Sequence, residues 1–356
     1  SDCGSDRAAP GALCGFVLTI PIRCYWVFYP TNGTVRTVNS GRSKGGGMNY
    51  GSQLRALIER DEILLCPGVH DSLTARAVDR VGVDAIYMTG YGTSLSRVGV
   101  PDAGLITMPE MVENAKRIQE TVDVPVIADA DNGYGNATNV IRTVREFIKA
   151  GVAGIHIEDQ TFPKRCGHVK GREVIPKEEA VGKYRAAADV RDERDEDFLV
   201  IARTDARGAV DGSMEKAIDR ANAYCEAGAD VAFVEGPVDE AEMEAACEHV
   251  EAPMLYNYAG ISPKVDADRL ASMGYDLVIY PSFTNKIAIR TVYEGTQRFL
   301  EDPKGTMDGV LGDFEALPFD LHEFSGFPDV VEWEQKYLPD EDAEKYEGTE
   351  GADIGE

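Results

Sequence analysis

Eight short apolar runs, separated by segments of helical periodicity, dominate the chain from Glu62 onward. They fall at residues 63–66, 85–89, 124–129, 154–158, 198–203, 231–235, 254–257 and 277–280. Each is almost continuously apolar, as strands of a parallel sheet covered on both faces are, and most run out into polar residues or glycine. Residues 111–120, 139–150, 177–188, 214–227 and 240–249 carry apolar side chains at helical spacing between them. Eight βα units predict an α/β fold, a TIM-like (β/α)8 barrel with its chemistry at the C-terminal ends of the strands. An open doubly wound sheet is the alternative. It calls for a glycine-rich phosphate loop after an early strand, and no convincing one occurs.

The ends of those runs are rich in chemistry. The second ends in Tyr87-Met88-Thr89-Gly90-Tyr91, and its loop continues to Asp102. The third ends in Asp129-Ala130-Asp131, the fourth in His156, Glu158 and Asp159, and the fifth in Arg203-Thr204-Asp205. The sixth and seventh end in Glu235 and Asn257. Carboxylates therefore converge from at least four strands, and such a cluster needs a cation. An oxygen-only set without zinc-type cysteine and histidine spacing suits Mg2+, with Mn2+ as a substitute. Asp129-x-Asp131 alone is also the pattern of a solvated turn before glycine; the acids on neighbouring strands favour the metal.

Shortly after the fourth run comes Lys164-Arg165-Cys166-Gly167-His168. Two cations and an imidazole beside a cysteine are expected to stabilise its thiolate, so that its proton moves near neutral pH. The plain alternative is a small buried hydrophobe in a basic loop.

This run resembles the cysteine loop of the isocitrate lyase and methylisocitrate lyase branch of the phosphoenolpyruvate mutase superfamily. The segments at 87–92, 101–104, 129–135, 156–160 and 202–206, with Glu235 and Asn257, are similar to that superfamily's motifs in the same order. The resemblance implies a barrel with C-terminal helices exchanged between subunits, a homotetramer and Mg2+ dependence. It implies Cys166 as a catalytic acid/base with His168 and Glu158 in its proton network, and a carboxylate site at Thr89, Gly90 and Tyr91. Asp102, Asp129, Asp131 and Glu158 would serve the metal directly or through water. Lys164, Arg165, Gly167, Arg203, Glu235 and Asn257 would complete the substrate pocket.

The expected reaction is retro-aldol cleavage of a di- or tricarboxylate bearing a 2-hydroxyl, with Tyr87 as a candidate base. Isocitrate is the leading substrate, since Tyr256-Asn257 followed by Ser262-Pro263 resembles the Tyr-Asn-Cys-Ser-Pro run of isocitrate lyases. The chain lacks the Thr-Glu that methylisocitrate lyases carry after the equivalent asparagine, although Arg165 and the short barrel are more like those enzymes. 2-Methylisocitrate, a smaller substituted malate and oxaloacetate therefore stay open. Phosphonate-forming mutases and C–P hydrolases share the acids but not the cysteine loop, and a non-catalytic acidic binding protein is the reading outside enzymology.

Charge limits the partners. The chain has 62 acidic and 36 basic residues and a net charge of −26, a field that repels nucleic acid and anionic membrane. Residues 1–47 hold two acids and five bases, so the other 309 residues carry 60 acids, 31 bases and a charge of −29. That composition suggests a halophilic protein. The same change marks 1–47 as a non-native or disordered extension, 48–338 as the lyase domain and 339–356 as a disordered acidic tail. Seven cysteines without paired spacing argue for a reducing, cytoplasmic setting rather than a disulfide framework.

Overall fold

A computed structural model describes residues 49–339. The chain clusters into two units, Ser1–Arg42 and Ser43–Glu356, and every described residue belongs to the second. The expectations for residues 1–47 and for the tail beyond Pro339 lie outside the described residues.

Eight parallel strands close into a barrel in sequential order. They are β1 (Leu64–Val69), β2 (Ile86–Met88), β3 (Val126–Asp129), β4 (Gly154–Glu158), β5 (Leu199–Thr204), β6 (Val231–Val234), β7 (Met254–Asn257) and β8 (Leu277–Tyr280). The seam between β8 and β1 is a four-residue register, Leu64 opposite Leu277 through Pro67 opposite Tyr280. Helix α1 (Tyr50–Ile58) precedes the barrel, and α2 (Ser72–Asp79) and α3 (Gly90–Thr93) flank β2. Then α4 (Met108–Gln119), α5 (Ala137–Ala150), α6 (Lys177–Arg194), α7 (Met214–Glu226), α8 (Glu240–His249) and α9 (Ala267–Met273) connect the later strands. Four helices follow β8: α10 (Phe283–Glu301), α11 (Pro303–Glu315), α12 (Leu321–Ser325) and α13 (Phe327–Tyr337).

The strand alternation decides what faces the barrel axis. Leu64, Cys66, Tyr87, Ile127, Leu199, Ile201, Val231, Phe233, Leu255, Leu277 and Ile279 form one buried cluster, with Leu54 and Ile58 of α1 packed on it. Two steps farther along the same parity stand Asp129, Arg203, Glu235 and Asn257. The apolar fill therefore gives way to polar groups at one end only. Residues of the other parity, such as Ile155, Ile157, Val200 and Ala202, pack outward against the helices.

The expected runs match the strands except at their margins. β1 continues through Pro67 and Gly68, which read as breakers in isolation but are held by pairing to both β2 and β8. α6 runs on to Arg194 through a polar stretch, where Arg191 donates to Gly228 O and pairs with Asp230 Oδ2 at 2.7 Å. The proline- and aromatic-bearing segment after α10 folds as α11–α13.

Candidate active site

A cavity of about 250 Å³ opens at the C-terminal ends of the strands. Tyr87, Thr89, Asp129, Arg203, Glu235 and Asn257 come from five strands and their ends, Tyr91 and Asp102 from the loop after β2, and Cys166, Gly167 and His168 from the loop after β4. Pro281, Ser282 and Lys286 close the side next to β8.

Asp129 organises the floor. Its Oδ2 accepts from Gly90 N at 3.1 Å and from Tyr87 OH at 3.3 Å, and its Oδ1 accepts from Asp131 N at 2.9 Å. His156 stands opposite it in the β3–β4 register, with Nε2 3.5 Å from Oδ1 and 2.8 Å from the Tyr87 hydroxyl. Burial opposes ionisation of Asp129, yet His156, Lys164 and Arg203 outweigh it and bring the carboxyl down to about 2. Burial pushes the imidazole of His156 down to about 4, and Arg203 and Lys164 act in the same direction, so it stays neutral. Burial, with Asp129 beside it, also holds Tyr87 well above the ordinary tyrosine range.

Arg203 is the hub of the opposite wall. Its guanidinium lies 3.3 Å from Glu158 Oε2, 3.6 Å from Glu235 Oε2 and 3.0 Å from Asp205 Oδ2. Asn257 Nδ2 donates to Glu235 Oε2 at 2.8 Å, and His168 Nε2 approaches Glu235 Oε1 at 3.4 Å. Burial lowers His168 below the ordinary histidine range, leaving a neutral ring. Gly260, with φ of +49°, is where the β7 loop passes this ring; a Cβ there would collide with it. The Thr-Glu missing from this loop in the sequence is thus replaced by a backbone that makes room for His168.

Several sequence-derived expectations change. Cys166 is not a stabilised thiolate: burial raises its pKa, and Arg203 and Lys164 do not compensate. The flanking cations are turned elsewhere. Lys164 is buried between Asp102 and Asp131, 2.6 and 2.5 Å from an oxygen of each. Exposed Arg165 donates to Lys170 O at 3.4 Å and is not on the cavity wall. Gly90, Asp131, Glu158 and Lys164 also lie off that wall. Thr89 caps α3, its Oγ1 accepting from Gly92 N at 3.2 Å.

The four expected metal acids do not form a ready cage: among the described residues no three histidine, cysteine or carboxylate side chains gather to hold an ion. The cause is visible in the partners. Lys164 bridges Asp102 and Asp131, while Asp129 is taken up by Gly90, Tyr87 and His156. The donor chemistry nevertheless fits a hard cation. Asp131 Oδ2 and Glu158 Oε1 are buried without a hydrogen-bond donor, a shortage that Mg2+ with its retained waters would relieve.

Two groups on or beside the cavity had no role in the sequence reading. His156 shares the parity of Glu158 and sits level with Asp129, a signal present in the strand pattern. Lys286, one turn into α10, follows β8, one of two strands whose ends carry no group with an expected role.

A closed parallel barrel with a carboxylate- and arginine-lined cavity at the strand C-termini is the arrangement of a barrel enzyme. The chain matches the phosphoenolpyruvate phosphomutase family model over residues 54–300 and belongs to the PEP mutase/isocitrate lyase superfamily of lyases, mutases and hydrolases. It is similar to the 2,3-dimethylmalate lyase of Eubacterium barkeri, 42% identical over 292 residues that cover 82% of this chain and 99% of the relative. It is also similar to the isocitrate lyase of Haloferax volcanii, 39% identical over 269 residues that cover 72% of this chain and 77% of the relative. Oxaloacetate acetylhydrolase in complex with 3,3-difluorooxalacetate superposes with a TM-score of 0.74 at 36% identity, covering 81% of this chain and 97% of the other. Phosphonopyruvate hydrolase in complex with oxalate and Mg2+ gives a TM-score of 0.71 at 30% identity, covering 82% and 100%.

Proposed function

We propose that the protein is a Mg2+-dependent carbon–carbon lyase that cleaves isocitrate to glyoxylate and succinate. The observation that carries this reading is the presence of Cys166 in one cavity with Tyr87, Asp129 and Arg203. A buried, protonated thiol facing an arginine and a carboxylate floor suits a step in which a carbanion must be captured by a proton. In the reaction, the substrate hydroxyl loses its proton, the bond between the hydroxyl-bearing carbon and its neighbour breaks, and its electron pair stays on the succinate fragment. The Cys166 thiol protonates that carbon and solvent later returns the proton. The base is Tyr87, whose hydroxyl is oriented by Nε2 of His156 at 2.8 Å.

Asp131 and Glu158, with Asp102 and Asp129, are the residues to hold Mg2+ (Mn2+ as substitute). Bound there, the ion would lower the hydroxyl pKa and balance charge on the 2-oxo acid. Arg203, whose fork is held by Asp205, puts positive charge on the cavity wall for a substrate carboxylate. Lys286 has no ion pair among the described residues and is the cation available for a second carboxylate. The Tyr256-Asn257 and Ser262-Pro263 pattern and the haloarchaeal isocitrate lyase relative support isocitrate. The second reading is a substituted malate: the dimethylmalate lyase relative is covered over 99% of its length, and Ala259 and Gly260, the β7-loop residues on the cavity wall, bring no side-chain hydroxyl to it.

Oligomerisation is part of the proposal. Ile289, Val292, Leu300 and Trp333 on α10 and α13 are more than half exposed in the single chain, a surface suited to exchange between subunits of a homotetramer. The described residues contain no helix long and apolar enough to cross a membrane, and a halophilic cytoplasmic enzyme suits the acidic charge. Side-by-side kinetics on isocitrate, 2-methylisocitrate, 2,3-dimethylmalate and oxaloacetate with Mg2+ test the reading. Preference for isocitrate supports it; no cleavage of any of the four overturns it.

A further inference from the structure

The segment bearing Cys166 leaves β4 and returns to α6 as a closed excursion. Gln160 shuts its base, with Nε2 donating to Arg165 O at 2.8 Å and Oε1 accepting from Arg165 N at 2.9 Å. The far side is held by one buried side chain, Arg172, which is 4% exposed. Its Nη1 donates to the carbonyl oxygen of Gly167 and lies 3.2 Å from Asp205 Oδ1. Asp205 in turn accepts from Arg203 Nε at 3.0 Å and from Nη2 at 3.2 Å. A single carboxylate therefore joins the peptide next to Cys166 to the arginine of the cavity wall.

The slot for Arg172 is built to shape. Gly208 passes so close that a Cβ would collide with the guanidinium. Arg172 does not line the cavity, so it has no route to substrate except through Gly167 and Asp205. Both contacts leave one nitrogen, Nη1, and are charge-assisted, the kind that hold a peptide in one place.

We propose that Arg172 is a positioning residue, a latch that keeps the Cys166-Gly167-His168 turn closed over the cavity and couples it through Asp205 to Arg203. The kinetic part of this inference rests on the lyase reading; the loop part does not. Iodoacetamide labelling of Cys166, followed by peptide mapping in the full chain, reads the loop directly. Arg172→Met is expected to label about tenfold faster than the wild type, the opening expected when a buried charged hydrogen bond is lost. With the substrate the wild type cleaves, kcat should fall about a hundredfold and KM should move far less.

Arg172→Lys should recover part of both effects, and the Arg172→Met and Asp205→Asn labelling effects should be less than additive in the double variant. The thermal midpoint separates a latch from a general loss of packing. A Cys166 labelling rate unchanged by Arg172→Met overturns the inference, whatever happens to kcat. So does faster labelling that merely accompanies unfolding and is absent from a folded Arg172→Lys. Should none of the four substrates be cleaved, the lyase reading fails and the labelling arm still decides the latch.

Discussion

Lys164 Nζ lies 2.5 Å from Asp131 Oδ1, so a lysine from the cysteine loop reaches into the acid cluster that ends β3. Burial opposes its charge, but Asp131, Glu158, Asp102 and Asp129 outweigh burial and hold it well above the ordinary lysine range. The loop after β4 is thereby tethered to the barrel by charge.

Lys164→Met should destabilise the protein by about 3–5 kcal/mol, because it leaves buried carboxylates unpaired. Thermal unfolding with and without Mg2+ checks this. The variant should regain more of its midpoint from Mg2+ than the wild type gains, and equal gains would count against a shared acid site.

Cys166→Ser should abolish turnover and leave the fold intact, since the side chain lines a cavity and fills no core. Burial raises the thiol's pKa, and the acting form is the protonated one. The alkaline limb of kcat should therefore lie above the ordinary thiol range of about 8.5. Cys66, Cys225 and Cys247, whose thiols burial pushes up to about 12, should resist alkylation while substrate protects Cys166. A wild-type pH profile in the serine variant removes Cys166 from the mechanism.

Chelation should silence the enzyme, and Mg2+ or Mn2+ should restore it; Asp131→Asn should raise the Mg2+ concentration needed for half-maximal activity by about tenfold or more. Undiminished rates in a metal-free preparation would contradict the assignment of these acids. Zn2+ should not substitute, since the donors are all oxygen.

The thermal midpoint should climb between ~0.1 M and ~1 M KCl. Over that range the Debye length falls from ~10 Å to ~3 Å, relieving repulsion among the 60 acids that follow residue 47. Neutralising surface acids far from Asp129 should flatten the climb and leave kcat unchanged. A midpoint indifferent to KCl would leave the acidic bias without a role in stability.

The barrel was legible because each strand is a local pattern. Continuous apolar runs such as Val231–Val234 and Leu277–Tyr280 have few ways to be covered except between helices in a closed sheet. Their places at the ends of such runs group Asp129, Arg203, Glu235 and Asn257 at one end of the barrel from the sequence alone. The margins were harder, since Pro67 and Gly68 become strand only when β2 and β8 pair with them.

What only the tertiary structure decided is how the charges are shared. In the chain, Lys164 and Arg165 flank Cys166 alike; in space, Lys164 goes to Asp102 and Asp131 while Arg165 turns to the surface. Sequence neighbours predict which charges are close to a thiol only in an extended chain. Folding sets Arg203 from β5 and the more distant charge of Lys164 against burial, and burial wins, raising the thiol's pKa. His156 and Arg172 entered for the same reason: Asp129 lies 27 residues from the one and Asp205 33 from the other, distances that the fold makes short.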